Sequence, residues 1–554
     1  MTPGARIAAA IEILAAIDEG GRPADDIAAD YFRRRRFIGA KDRVQVAAHV
    51  YAVLRHRAVL DWWIARASPA LPSPAPAPAP APAPTLPSPA SGGGSGRGPS
   101  GGGSGRGPSG GGSSRAEIAP NARGRVIAAL LLIDKQTPDD VAASCDGGRF
   151  RPAALSPAEQ RLARALAGRS LTHPEMPRAV ACDLPDWLEP HLAAVYGRRL
   201  EDEMAALNAP APLDLRVNAL KADRDTARRA LAAEHIQAEP TPWSPLGLRL
   251  RHRAPLAGTA AFKEGLVEVQ DEGSQLAALL ADARPGMRVV DFCAGAGGKT
   301  LALAAQLQNR GKLVACDVAD WRLERAGQRL RRAGVSNVER RALSSERDPW
   351  VKRHAAKGTE GGFDRVFVDA PCLGIGSWRR NPDGKWRATP QDLAELVVRQ
   401  RDILASAARL VRPGGRLIYV TCSLLREENE AQAEAFLAAH PDFALYPAAR
   451  AWAEAIGGRS PGGDDYLRLT PARHGTDGFF VAQFERRGPH PSPPPLAGQG
   501  ATGAASDTLL DSPPLAGEGA TEAAAETLTR LRGREGPAPE APECGGLPDP
   551  DLEQ

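Results

Sequence analysis

MRVVDFCAGAGGKTLALAAQLQNRGKLVACDV, residues 287–318, decides how this chain folds. MRVVDFC is an apolar run of strand length, TLALAAQL has the leucine and alanine recurrence of a helix, and KLVACDV returns to strand character. Between the first strand and the helix, DFCAGAGGKT carries glycines at 295, 297 and 298, which let the backbone turn tightly and approach a ligand where the helix begins. The same rhythm continues with RLERAGQRLRRAG as a helix, FDRVFVDA as a strand and DLAELVVRQRDILASAARLV as a long helix, and RLIYVTCS and GFFVAQFER add further strands. The expected fold class over 281–487 is therefore α/β, a mostly parallel sheet wound on both faces.

Towards the amino terminus the character changes near Pro210. PLDLRVNAL reads as a strand, Arg224 to Glu234 as a helix, and the segments around Leu248 and Val267 as strands, so a small α+β domain is expected over 206–280. Earlier still, Ile7, Ile11 and Leu14, then Val46, Val50 and Val53, recur at helical spacing, and the pattern resumes in RVIAALLLID after Asn121. Ser68 to Ser114 breaks it with Pro-Ala alternation and a repeated GGGSGRGPS unit, a composition that cannot bury enough apolar surface to offset its ordering entropy. The simplest organisation is one helical domain made of 1–67 and 119–205, carrying a disordered insertion at 68–118; two small domains joined by a linker are the alternative. The stretch 488–554, rich in Pro, Gly, Ala and Glu, is expected to be a disordered tail.

The 554 residues are 43% hydrophobic and 25% charged, with a net charge of only +4, so any affinity for nucleic acid has to come from local basic patches. Arg33 to Arg36 is one such run, read first as a solvated face and second as a phosphate contact. Seven cysteines without CxxC spacing argue against a disulfide framework or a zinc site, and place the protein in a reducing cytoplasm with no metal. The opening MTPGARIAAAIEILAAIDEG lacks the pattern of a signal peptide, and no segment is apolar enough to span a bilayer, so no membrane partner is expected. A monomer is expected.

The chemistry concentrates at strand ends, where ligands of open α/β sheets sit. The Gly-Lys-Thr ending of the first loop suggests a phosphate-binding Walker motif, but that motif needs glycine where Cys293 stands. The next strand ends in Asp317, an acid suited to both hydroxyls of a ribose, and the two features together suit an adenosine-containing cofactor, dinucleotide or S-adenosylmethionine. Asp369 and Cys372 close a later strand, and Thr421-Cys422-Ser423 closes another. Small buried residues favour such ends, yet both cysteines lie on the face where the glycine loop opens. A basic loop with interleaved tryptophans, WRRNPDGKWR, follows Cys372. Phosphate contact and base stacking suit it, and packing of the tryptophans on the sheet suits it equally. Cysteines 145, 182, 293, 316 and 544 read as core or tail residues.

DFCAGAGGKT, DAPCLGIGSWRRNPDGKWR, YVTCS with the following EENE, and DGFFVAQFER together closely resemble the RsmB/Sun-type RNA (cytosine-5)-methyltransferases, over roughly Pro210 to Arg487. The helical region more loosely resembles their NusB-like domain. The resemblance implies a Rossmann-like, S-adenosylmethionine-dependent domain preceded by a small RNA-binding α+β domain, acting on RNA, in the first place ribosomal. It implies Cys422 as the nucleophile, Asp369 as the group that holds the base, and Cys372 as the residue that releases the product. It further implies a cofactor site at Cys293, Ala294, Gly295, Ala296, Gly297, Gly298, Lys299, Asp317 and Asp369. RNA contact is expected from Lys299, Trp378, Arg379, Arg380, Lys385, Trp386 and Arg387. One departure stands out: where the family places an acid after the third strand, this chain has Ser344 and Ser345, with Asp348 late, and the adenine contact stays unassigned. The competing readings are a non-catalytic ribosome-assembly factor, a tRNA methyltransferase, and a DNA cytosine methyltransferase with Cys372 as its nucleophile.

Overall fold

Helices on both sides of the 68–118 stretch build one core. The computed structural model describes residues 1–67, 120–357 and 361–488; the expected insertion and, beyond residue 488, the expected tail with Cys544 lie outside the described residues. Helices Pro3–Asp18, Ala24–Arg34, Ala40–Arg55 and Arg57–Ala67 pack with Ala122–Leu132, Pro138–Ser144 and Pro157–Leu166. Ile7, Ile13, Val50 and Leu60 meet Ile127, Leu130 and Leu166 in that core. Helix Ala122–Leu132 lies at its centre, and even its Arg125 is buried, paired with Asp18 at 2.8 Å and Asp61 at 2.7 Å.

The helical block expected over 119–205 is divided. Leu188, Leu192, Leu200, Met204 and Leu207 form an apolar stripe that packs on Ile375, Trp378, Leu393 and Leu424 of the main sheet domain, so 182–207 belongs with the sheet's surroundings. Next comes a four-stranded antiparallel sheet of β1 (Asp214–Val217), β2 (Ala238–Pro240), β3 (Gly247–Leu250) and β4 (Val267–Val269), in the order β2-β3-β1-β4. Helix Arg224–Ala233 covers it through Ala227 and Leu231.

The large sheet contains the parallel strands β5 (Arg288–Asp291), β6 (Lys312–Asp317), β7 (Val338–Ala342), β8 (Phe363–Asp369) and β9 (Val411–Thr421). The short β10 (Phe443–Leu445) and β11 (Leu467–Leu469) both pair with β12 (Phe479–Arg486), which runs antiparallel beside β9. The order is β10-β12-β9-β8-β5-β6-β7. Val289, Val290, Val366, Phe367, Val368 and Leu417 to Val420 are all buried, the mark of a sheet covered on both faces. From β5 the chain steps outward through β6 and β7, then crosses back to place β8 on the other side of β5. That reversal opens a crevice at the carboxyl ends of β5 and β8. Among the described residues no helix is long and apolar enough to cross a membrane.

Candidate functional site

After Asp291 the chain must turn into helix Gly298–Gln306 while passing close to helix Asp320–Ala333. Gly297 allows it: its φ is +82°, and a Cβ there would stand 2.9 Å from Cβ of Ala326. Gly295 is also left-handed, but open, with nothing within 4 Å of where a Cβ would lie. Its N–H donates to Asp317 Oδ2 at 2.8 Å, and the Ala319 N–H donates to Oδ1 at 2.8 Å. Asp317 is thereby fixed in place, and each oxygen keeps a further lone pair. The neighbouring Val318 is apolar and 67% exposed.

The rest of the loop is held from several sides. Ala294 N–H donates to the Cys316 carbonyl, Ala296 O accepts from Arg329 at 2.8 Å, and Gly298 O accepts from Arg216 of β1 at 2.9 Å. Asp291 Oδ2 accepts from the Thr300 hydroxyl at 2.7 Å, whereas its Oδ1 is buried without a partner among the described residues. Burial pushes the Asp291 carboxyl up to about 7, with the Thr300 hydroxyl opposing it. Burial likewise raises the Cys293 thiol, which stays protonated at neutral pH.

On the facing strand, Lys299 Nζ donates to Asp369 Oδ2 at 2.6 Å. Burial works against the lysine's charge, but the Asp369 carboxylate more than offsets it and holds Lys299 above its ordinary range. The other Asp369 oxygen accepts no hydrogen bond among the described residues. Strands β8 and β9 are neighbours in register, Asp369 beside Val420, so the loops that follow them meet. Cys372 and Cys422 come within 3.5 Å, Sγ to Sγ, and the Gly376 N–H donates to the Cys422 carbonyl at 2.8 Å. Contact with Cys422, then burial, pushes the Cys372 thiol up.

Most of the loop expected to meet RNA is turned inward, which corrects the expectation for Trp378, Arg379 and Lys385, while Arg387 stays exposed. Trp378 is 2% exposed and Lys385 1%. Arg379 pairs with Asp477 and, at 3.1 Å, with Asp271; Arg380 reaches the same two acids at 2.6 and 2.9 Å. Lys385 Nζ donates to the Arg55 carbonyl and to Asn208 Oδ1, Trp386 Nε1 donates to the Leu54 carbonyl, and Arg387 pairs with Asp383. Arg55 in turn donates to the Arg379 carbonyl, and the Ala24 N–H donates to Asp383. The loop is a brace that ties the helical domain to the sheet domain, because acids and carbonyls from four other segments reach it. Near the end of β7, Asp348 accepts from the Ser344 and Trp350 N–H groups and caps helix Pro349–His354, so its oxygens are already in use.

Sequence reasoning missed Asp271, Asp477, Arg216 and the buried pair Gln400 and Glu428. The only signal for any of them was polar residues inside the apolar settings VQDEGSQ, TDGFF and LLREENE. Among the described residues no cluster of histidine, cysteine or acids could hold a metal ion.

Residues 278–485 match the family model for 16S rRNA methyltransferase RsmB/F, and residues 184–257 match the RsmF/B-like ferredoxin-like domain. The probable ribosomal RNA small subunit methyltransferase B of Bacillus subtilis is 33% identical over 307 residues, 55% of this chain and 66% of that protein. The ribosomal RNA small subunit methyltransferase B of Pasteurella multocida is 34% identical over 302 residues, 54% of this chain and 65% of its own length. The chain thus spans just under two thirds of these curated relatives. The crystal structure of PH0851 superposes with a TM-score of 0.64 at 25% identity, covering 88% of this chain and 99% of that one. Through residues 184–485, with the thiol pair and glycine loop at the switch point, the chain belongs to the RsmB/F, Sun-type, methyltransferase family.

Proposed function

We propose that this protein methylates carbon 5 of a cytosine in RNA, small-subunit ribosomal RNA being the substrate class, through a covalent adduct between Cys422 and carbon 6 of the base. The observation that carries the reading is two thiols 3.5 Å apart beside the Lys299–Asp369 ion pair. The substrate class rests on what the relatives' names say of those proteins.

S-adenosylmethionine fits the loop after β5. Open space stands over Gly295, Asp291 keeps a buried oxygen without a partner, and Asp317 beside exposed Val318 offers an acid and an apolar surface together. Residues 293–299 with Asp317 would hold it, and bound there it supplies the electrophilic methyl group.

Carbon 5 of cytosine is a weak nucleophile until a thiolate adds to carbon 6 and turns the ring into an enamine. Cys422 makes that addition, and it lies near enough to Lys299 for the two groups to interact electrostatically. Asp369, oriented by Lys299, meets the base at its ring nitrogen and exocyclic amine and stabilises the charge that develops. Once carbon 5 carries the methyl group, its proton leaves towards Cys372, the pair of electrons restores the ring double bond, and the Cys422 thiolate departs. Because Trp378, Arg379 and Lys385 are buried, RNA contact shifts to the helical domain, where Arg34, Arg36 and Lys41 are exposed beside Phe37.

Labelled S-adenosylmethionine and RNA test the assignment. Wild-type protein should methylate RNA, Cys422→Ala should abolish transfer, and Cys372→Ala should accumulate a covalent protein–RNA species. Full activity in Cys422→Ala would falsify the mechanism.

A further inference from the structure

Beyond Asp369, the chain that carries Cys372 leaves the sheet, and Pro371 has no N–H with which to anchor it. Its position is fixed from behind. The Leu373 N–H donates to Glu428 Oε1 at 2.9 Å. Gln400 Nε2 donates to that same oxygen at 3.0 Å and to the Pro371 carbonyl at 2.9 Å. One carboxyl and one amide therefore grip the backbone immediately before and immediately after Cys372. The grip is itself rigid. Gln400 projects from the middle of helix Pro390–Ala408, the Tyr419 hydroxyl donates to the Glu428 carbonyl at 2.6 Å, and both gripping side chains are wholly buried.

A carboxyl in this place is costly. Among the described residues no lysine or arginine pairs with Glu428, and a carboxylate without a cationic partner in a protein interior is strongly disfavoured. Packing alone would be served by an apolar residue. Burial raises the Glu428 carboxyl, in keeping with a group that acts as a fixed hydrogen-bonding post. Cys422 is held by a separate residue: Asn429 accepts from the Thr421 hydroxyl at 2.5 Å and donates to the Ser423 carbonyl at 3.0 Å, and the Cys422 carbonyl accepts from Gly376 of the Cys372 loop.

We propose that Glu428, together with Gln400, is the positioning element for Cys372, holding its sulfur where it takes the carbon 5 proton and so timing release of the methylated RNA. This rests on the reading of Cys372 as the release residue. In the release step Cys372 acts as a thiolate, its own proton having left to solvent once Cys422 is bonded to carbon 6 and no longer holds the Cys372 thiol up. The C5–H bond breaks and its proton goes to that sulfur. Its electron pair forms the C5–C6 double bond, the C6–S bond breaks, and the electrons stay on Cys422 as thiolate. Glu428 exchanges no atoms; it sets the distance over which the proton moves.

A displacement of about 1 Å at such a centre can cost roughly 100-fold in rate. Glu428→Ala should therefore keep the first turnover of methylation within a few-fold of wild type, while release slows by about 10- to 100-fold. Denaturing gels of protein incubated with S-adenosylmethionine and RNA should show the covalent species accumulate. Gln400→Ala should do the same more weakly. Glu428→Gln, which keeps an oxygen for the Leu373 N–H, should restore release. If Glu428→Ala does not fold, Gln400→Ala decides alone. Loss of the first turnover in proportion to overall turnover means a merely structural role and overturns the proposal. Absence of adduct in both alanine variants while Cys372→Ala accumulates it also overturns the clamp, and leaves the function standing. Absence of adduct in Cys372→Ala instead removes the release reading on which the clamp rests.

Discussion

Residues 33–41, RRRRFIGAK, and 378–387, WRRNPDGKWR, mix arginine, lysine and aromatic side chains in similar proportion, and the fold treats them in opposite ways. In the first, Phe37 is 80% exposed, and Arg34, Arg36 and Lys41 make no ion pair among the described residues. Only Arg33 and Arg35 find acids, Asp30 one turn earlier on the same helix and Glu12 on the neighbouring helix. In the second, two arginines face Asp271 and Asp477, which arrive from the helix after β4 and the turn before β12. Cations that share a composition thus divide according to whether distant carboxylates return to meet them. A basic, aromatic stretch stays available to a phosphate backbone only where none does.

The largest effect belongs to Arg379→Ala. It leaves Asp271 and Asp477 buried with one arginine between them, and removing one partner of such a cluster costs about 3–5 kcal/mol. Urea unfolding of the full chain measures this, and an unchanged midpoint would mean that the loop is no brace. Lys385 comes next. Burial, assisted by the charge of Arg55 and opposed by Asp183, pulls its ammonium down to about 8. An unfolded lysine titrates at its ordinary value of 10.5. Between those values the unfolded chain holds a proton that the folded chain has shed, so this residue makes stability rise with pH, by up to about 3 kcal/mol. Lys385→Met should flatten that rise when unfolding midpoints are followed across the window. An equally steep rise in the variant would assign the titration to another group.

Local pattern carried the architecture. Strands β5, β6, β8 and β9 announce themselves as short apolar runs because both faces of the sheet are covered, and Gly297 is written into the turn because only glycine fits against Ala326. That Cys372 and Cys422 approach each other was also readable, since each follows a strand and the two strands are neighbours. What could not be read is pairing over long separations. Asp271 and Asp477 precede and follow the arginines they hold by about a hundred positions, and no periodicity encodes that meeting. The division of the helical block near Cys182 was hidden for the same reason: an apolar stripe states that it will be buried and leaves its partner unnamed.

The exposed patch supplies the smallest effects and the cleanest separation of causes. Arg34→Glu with Arg36→Glu should weaken RNA binding by about tenfold at physiological salt. It should also lower the slope of log affinity against log salt by about 0.7 for each single-strand phosphate that is no longer neutralised. Both side chains are solvent-exposed, so the unfolding midpoint should not move. Phe37→Ala should cost about 1 kcal/mol of RNA affinity, the low end for one base stacked on an aromatic ring, and should leave the salt slope alone because no charge has changed. The two variants therefore act on different terms of one surface. Filter binding at several salt concentrations separates them. A fall in slope with Phe37→Ala would mean that the aromatic shapes the arginine loop instead of touching a base, and an unchanged affinity in the double charge reversal would leave 33–41 a solvated face with no part in binding.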